Sequence, residues 1–175
     1  SRLGPGDRVA ILMGNRIETV LILLGALKAG VVPAPINCRL KPSDWLRICE
    51  DAEAKLLVSD AQFTGEIESL RGQLERVCGF IRVGGPCTGW QDFEDWTARA
   101  SCADLQVQAN EDDDAVQMYT SGTTGQPRGA LLTHRAVTAN IEQFGRVARF
   151  QPADRFLLIM PMFHAAGFMV MLHTI

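Results

Sequence analysis

A chain of 175 residues with 47% hydrophobic and 21% charged side chains can bury one substantial core. That composition excludes an extended disordered chain, and the length excludes two large domains. A formal net charge of -3 supplies no basic field, which argues against nucleic acid or an anionic membrane surface as partner.

Taken in order, the opening residues 1–7 hold no apolar signal-peptide core. Residues 8–13, RVAILM, read as a short strand covered on both faces. Asn15 is expected to cap a helix, with Glu18 three places on completing a capping box. That helix runs through Val20, Leu21, Leu24 and Leu27 and stops at Gly30. Residues 31–36, with two prolines, fit a short strand at the end of a sheet. Ser43 is expected to cap a second helix carrying Trp45, Leu46 and Cys49, and residues 54–59 return as a strand. A helix near residues 64–76 and a strand near 79–83 continue the alternation. The predicted fold class is therefore α/β, a largely parallel sheet flanked by helices with right-handed crossovers.

Residues 84–114 are the least regular part, with a turn at Gly84-Gly85-Pro86 and a short helix within 91–100. The run Glu111-Asp112-Asp113-Asp114 reads as a solvated loop, because adjacent carboxylates do not converge on one cation. Strands at 115–119 and 130–133 then bracket a loop, and Thr133 is expected to cap a helix with Val137, Ile141, Phe144 and Ala148 on its apolar face. Residues 156–160 read as a buried strand ended by Pro161, followed by a buried helix. The apolar stretch 156–175 is not expected to span a membrane, since Pro161 interrupts it and His164 and His173 would be costly in lipid.

Five cysteines (Cys38, Cys49, Cys78, Cys87, Cys102) stand at no metal-ligand or redox spacing and read as reduced thiols of a cytoplasmic protein.

The chemistry is concentrated between Thr120 and Gly129, in TSGTTGQPRG. Gly122, Gly125 and Gly129 let a bulky anion approach the main chain, and exposed N–H groups in such a loop form an anion-binding nest. Hydroxyls on Thr120, Ser121, Thr123 and Thr124 can donate to phosphate oxygens, and Arg128 adds a forked, permanently charged donor. With Gln126 and Pro127 completing it, the loop reads as a polyphosphate cradle. The pattern G-x-x-x-x-G-K-[ST] is absent, which excludes an ordinary P-loop.

The segment YTSGTTGQPRG, residues 119–129, resembles the signature phosphate loop of the adenylate-forming (AMP-binding) superfamily. Further similar stretches are residues 6–10, residues 25–30 leading to Pro35-Ile36-Asn37, and residues 161–164 leading to Gly167. Among members, an acyl-CoA synthetase acting on a fatty or other hydrophobic carboxylic acid is the most similar. The resemblance implies that residues 120–129 hold ATP while a carboxylate attacks its α-phosphorus, giving an acyl-adenylate and pyrophosphate. Coenzyme A then takes the acyl group. It implies ATP, Mg2+ and coenzyme A as cofactors or co-substrates. It places His164 near the carboxylate-binding pocket, while His134 reads as structural at a helix start. One departure is Arg128, where the family usually carries lysine; altered kinetics rather than lost binding are expected.

The superfamily's adenine- and magnesium-binding segment, its ribose aspartate and its late catalytic lysine find no match in this sequence. The chain is therefore expected to be the N-terminal portion of the large AMP-binding domain, residues 1–175, inactive by itself. Its apolar surface would favour a homo-oligomer. Two other readings stay open: an amino-acid adenylation domain of a peptide synthetase, and a non-catalytic nucleotide-binding module.

Overall fold

The computed structural model describes residues 3–103, 105, 107, 109–121 and 127–175. Strands and helices alternate through the first part: β1 (Arg8–Leu12), α1 (Ile17–Lys28), β2 (Val32–Pro35), α2 (Pro42–Asp51), β3 (Leu56–Asp60), α3 (Thr64–Leu70), β4 (Gly79–Val83), β5 (Gln91–Asp92) and α4 (Phe93–Ala98). These strands make one parallel sheet in the order β2-β1-β3-β4-β5. An antiparallel hairpin follows, β6 (Asp114–Ser121) and β7 (Pro127–Thr133), then α5 (His134–Ala148) and α6 (Ala165–His173).

Period-two alternation in β1 explains the layering. Val9, Ile11 and Met13 share a core with Ile22, Leu23 and Ala26 of α1, and that core continues to Val116 and Met118 of β6 and Phe168 and Met171 of α6. Ala10 and Leu12 belong to a second core with Trp45 and Ile48 of α2, Leu57 of β3 and Ile67 of α3. The central strands are thus buried on both faces, as their unbroken apolar runs demand. Among the described residues, no helix is long and apolar enough to cross a membrane.

Several expectations are corrected. Asn15 does not cap α1: the helix begins behind Arg16 with no side-chain cap. Nor does Glu18 close a capping box, because Arg16 takes its carboxylate at 2.8 Å. Ser43 is likewise not a cap; Lys41 precedes Pro42, which occupies the first turn where its missing N–H costs nothing. The predicted cap at Thr133 is present, its Oγ1 accepting from the Ala136 N–H at 3.2 Å. The short helix within 91–100 is Phe93–Ala98, and there Asp92 caps by accepting from the N–H groups of Glu94 and Asp95.

Residues 156–160 are not a buried strand. The segment is irregular, with Phe156, Leu157 and Ile159 exposed by 46%, 81% and 79%. A strand needs a ladder partner, and residues 156–160 pair with neither sheet of the described residues. The helix expected after it is present as α6, with Phe168 and Met171 buried.

Candidate phosphate and carboxylate site

Both flanks of the glycine-rich loop extend further as strand than the sequence suggests. Thr120 pairs with Arg128 and Ser121 with Pro127, so the loop is the tip of a two-stranded hairpin and the connection is antiparallel. Cross-strand pairing puts the Thr120 and Arg128 positions side by side. Residues Gly122, Thr123, Thr124, Gly125 and Gln126, and the side chain of Ser121, lie outside the described residues. Thr120, Arg128 and Gly129 are exposed and Pro127 is half-buried, at the open end of the hairpin.

His164 immediately precedes α6, and its carbonyl accepts from the Phe168 N–H at 3.0 Å. The imidazole is exposed and stacks edge-on with Phe163, centroids 4.6 Å apart. It lines a cavity of about 280 Å³ together with Asn37, Leu40, Asp44, Tyr119, Thr120 and Pro127. The structure therefore brings His164 to the loop end of the hairpin, although 36 residues of chain separate it from Pro127. Asn37, Leu40 and Asp44 were not read from the sequence as site residues. The available signal was position: Asn37 follows the carboxyl end of a parallel strand, where ligands of open α/β sheets bind.

The approach to His164 is held by two devices. Asn15 leaves the turn after β1 and reaches residues 158–162: its Nδ2 donates to the Met160 carbonyl at 2.8 Å and to that of Leu158 at 3.4 Å, while its Oδ1 accepts from the Met162 N–H at 2.9 Å. The turn carrying Asn15 is itself braced by buried Asp60, which accepts from the Gly14 N–H and from Arg16, each at 2.8 Å. Arg16 in turn holds the Glu18 carboxyl below its usual range, chiefly through their direct hydrogen bond. The second device is Gly167. A Cβ there would lie 2.6 Å from the Pro161 carbonyl carbon and 2.9 Å from the Met160 oxygen, so α6 can seat on this backbone only with glycine.

A larger hollow of about 550 Å³ lies elsewhere, lined by Cys49, Glu50 and residues 72–77. Size does not make it the site. Its Arg76 is paired with Glu53 at 3.2 Å, and burial pushes the Cys49 thiol up to about 12, leaving no nucleophile near neutral pH. His134, as expected, sits at the start of α5, its N–H donating to the Asp113 carbonyl at 3.0 Å. Among the described residues no group of three or more His, Cys, Asp or Glu side chains could hold a metal ion.

A match to the family model described as AMP-binding enzyme covers residues 2–175. The chain is 33% identical over 168 residues to the long-chain-fatty-acid–CoA ligase FadD13 of Mycobacterium tuberculosis, covering 94% of this chain and 32% of that relative. It superposes on the inhibitor-bound N-terminal domain of FACL13 from Mycobacterium tuberculosis with a TM-score of 0.88 at 31% identity, over 98% of this chain and 42% of the other. The anthranilate CoA ligase AuaEII in complex with anthranoyl-AMP matches with a TM-score of 0.88 at 29% identity, over 92% of this chain and 32% of that one. The chain thus spans about a third of the length of the curated ligase it matches. With the family model matched along almost its whole length, this chain belongs to the AMP-binding enzyme family.

Proposed function

We propose that this chain is the N-terminal portion of the large domain of an ATP-dependent carboxylate–CoA ligase. Its task is to hold the phosphates of ATP and one side of the carboxylate pocket. The single observation that carries the reading is the cavity in which Thr120 and Pro127 of the hairpin meet His164. A hydroxyl residue beside an imidazole, with Arg128 paired to Thr120 across the hairpin, suits a reaction in which a carboxylate meets a polyphosphate.

In that reaction a carboxylate oxygen of the acid attacks the α-phosphorus of ATP. The bond from that phosphorus to the bridging oxygen breaks, and pyrophosphate leaves with the electron pair. The thiol sulfur of coenzyme A then attacks the acyl carbonyl, the thiol proton passes to solvent, and AMP leaves. Residues 120–129 bind and orient the β- and γ-phosphates, and Arg128 offsets charge on the departing pyrophosphate. His164 orients the acid against the α-phosphate. The described residues offer no acidic cluster for Mg2+, so the metal is assigned to the MgATP substrate and no step is routed through protein-bound magnesium.

The substrate class we propose is a hydrophobic carboxylic acid, fatty or aromatic. Support comes from the similarity to a long-chain fatty-acid ligase on one side and to an anthranilate ligase on the other. A cytoplasmic setting is proposed from five cysteines without disulfides among the described residues. The test is acid-dependent exchange of pyrophosphate into ATP by the whole protein, across fatty, aromatic and amino acids. Exchange with fatty or aromatic acids and thioester formation with coenzyme A are expected. Exchange only with amino acids, or ATP binding without any exchange, would overturn the proposal.

A further inference from the structure

Beneath the hairpin lies a chain of side-chain hydrogen bonds that phosphate binding does not by itself explain. The Tyr119 hydroxyl donates to Asp51 Oδ2 at 2.7 Å and accepts from Gln117 Nε2 at 2.8 Å. Gln117, buried to 6% exposure, accepts through Oε1 from Arg8 Nε at 3.3 Å, and Arg8 also lies 3.8 Å from Asp114. The chain runs from β1, through β6, to the last residue of α2.

Strand β7 passes directly over it. Gly129 pairs with Tyr119, and a Cβ at 129 would stand 2.7 Å from Gln117 Nε2, 3.0 Å from Tyr119 Cζ and 3.1 Å from Asp51 Oδ2. The three nearest atoms to that absent Cβ all belong to this network, so the bonding groups and the returning strand are closely fitted to one another. Burial, followed by the Asp51 carboxylate, raises the Tyr119 phenol well above its usual range, so it remains a donor throughout the physiological pH range. The other end of α2 carries Asp44, which lines the cavity with Tyr119, Thr120 and His164. One helix thus touches both the root of the hairpin and the pocket.

We propose that Asp51, Tyr119 and Gln117 are positioning residues that lock the hairpin onto α2 and so fix where the Thr120–Arg128 pair meets the nucleotide. Thr120 and Arg128 are the next cross-strand pair after Tyr119 and Gly129, so a small rotation of the root is carried directly to the phosphate contacts. Near-attack geometry tolerates little such displacement, a misplacement of about 1 Å costing on the order of 100-fold. The kinetic part of this inference rests on the ligase reading; the anchoring part does not.

The experiment compares Tyr119→Phe, Asp51→Ala, Asp51→Asn and the Tyr119→Phe/Asp51→Ala double variant in the whole protein. Amide hydrogen exchange over residues 118–121 and 127–130 is read beside steady-state kinetics. Exchange is expected to quicken by about threefold in Asp51→Ala, the loss of one modest hydrogen bond, and by up to about tenfold in Tyr119→Phe, which loses two. The KM for ATP should rise several-fold while the KM for the acid stays put, the double variant should be no worse than Tyr119→Phe alone, and Asp51→Asn, which keeps an acceptor, should recover most of the Asp51→Ala effect. Unchanged amide exchange, or strictly additive single effects, would overturn the anchor. Equal rises in both KM values, tracking a lowered melting temperature, would also overturn the positioning role. A wild-type protein without acid-dependent exchange would refute the ligase reading alone, since amide exchange decides the anchor independently.

Discussion

Asn15 shows how far one side chain can depart from its local signal. Three bonds to residues 158–162 displace the helix-capping role that its sequence context favours. Replacing it by alanine leaves the Met160 carbonyl and Met162 N–H without these partners. Because Asn15 is exposed and water can enter, the cost to stability is expected to be modest, about 1 kcal/mol in urea unfolding. Activity is the sharper readout: kcat/KM for the acid should fall more than that for ATP, since the segment leads to His164. Equal losses for both substrates would contradict that assignment. Arg128 is tested in the opposite sense. Arg128→Ala should raise the KM for ATP by roughly tenfold or more, the scale of one lost charge-assisted contact, while Arg128→Lys should retain most of the affinity. An alanine variant with unchanged ATP kinetics would remove Arg128 from the phosphate site.

At the scale of elements, what was legible followed from local chemistry. The strand at 79–83 and the Thr133 cap lie where their side chains alone place them, because a short apolar run and a hydroxyl before a helix need no distant partner. Ser43 yields to its own neighbour Pro42, whereas the failed cap at Asn15 and the failed strand at 156–160 share a different cause: each depended on what a remote segment offered. Asn15 found carbonyls across the molecule, and the apolar 156–160 run pairs with no strand among the described residues. The same division runs through the site. The proposed phosphate loop can be put forward from sequence because its donors are contiguous, whereas Asn37, Leu40 and Asp44 reach the cavity only through the packing of α2 and the end of β2. Seating of α6 offers a direct check. Gly167→Ala forces a methyl group into the Pro161 backbone and is expected to destabilise by about 1–3 kcal/mol, the usual cost of overpacking. A melting temperature equal to wild type would show that α6 does not sit as described.

For the molecule as a whole, depressed carboxylates contribute to an acid boundary, Asp7 and Glu18 beside Glu68, which Arg71 holds down. Asp7 is held below its usual range by the Gly4 N–H and then by Lys55, which lies 2.6 Å away. Glu18 is held down by Arg16. Both are depressed in the folded state, so the unfolded chain takes up these protons first. Their stabilisation is present above the ordinary carboxylate range, near pH 4, and is lost as pH falls through the folded values. The double variant Asp7→Asn/Glu18→Gln should therefore show a shallower loss of stability on acidification than wild type. An unaltered acid limb would assign acid unfolding to other groups.

The family assignment rests on the match to residues 2–175, whereas the proposed chemistry rests on one hairpin and one histidine. The measurement that tests that chemistry most directly is acid-dependent pyrophosphate–ATP exchange by the whole protein, wild type beside His164→Ala and Arg128→Ala. Robust exchange with a hydrophobic acid is expected in the wild type, with Arg128→Ala impaired toward ATP and His164→Ala impaired chiefly toward the acid. Exchange at wild-type rates in both variants would contradict the placement of adenylation chemistry between this hairpin and this histidine.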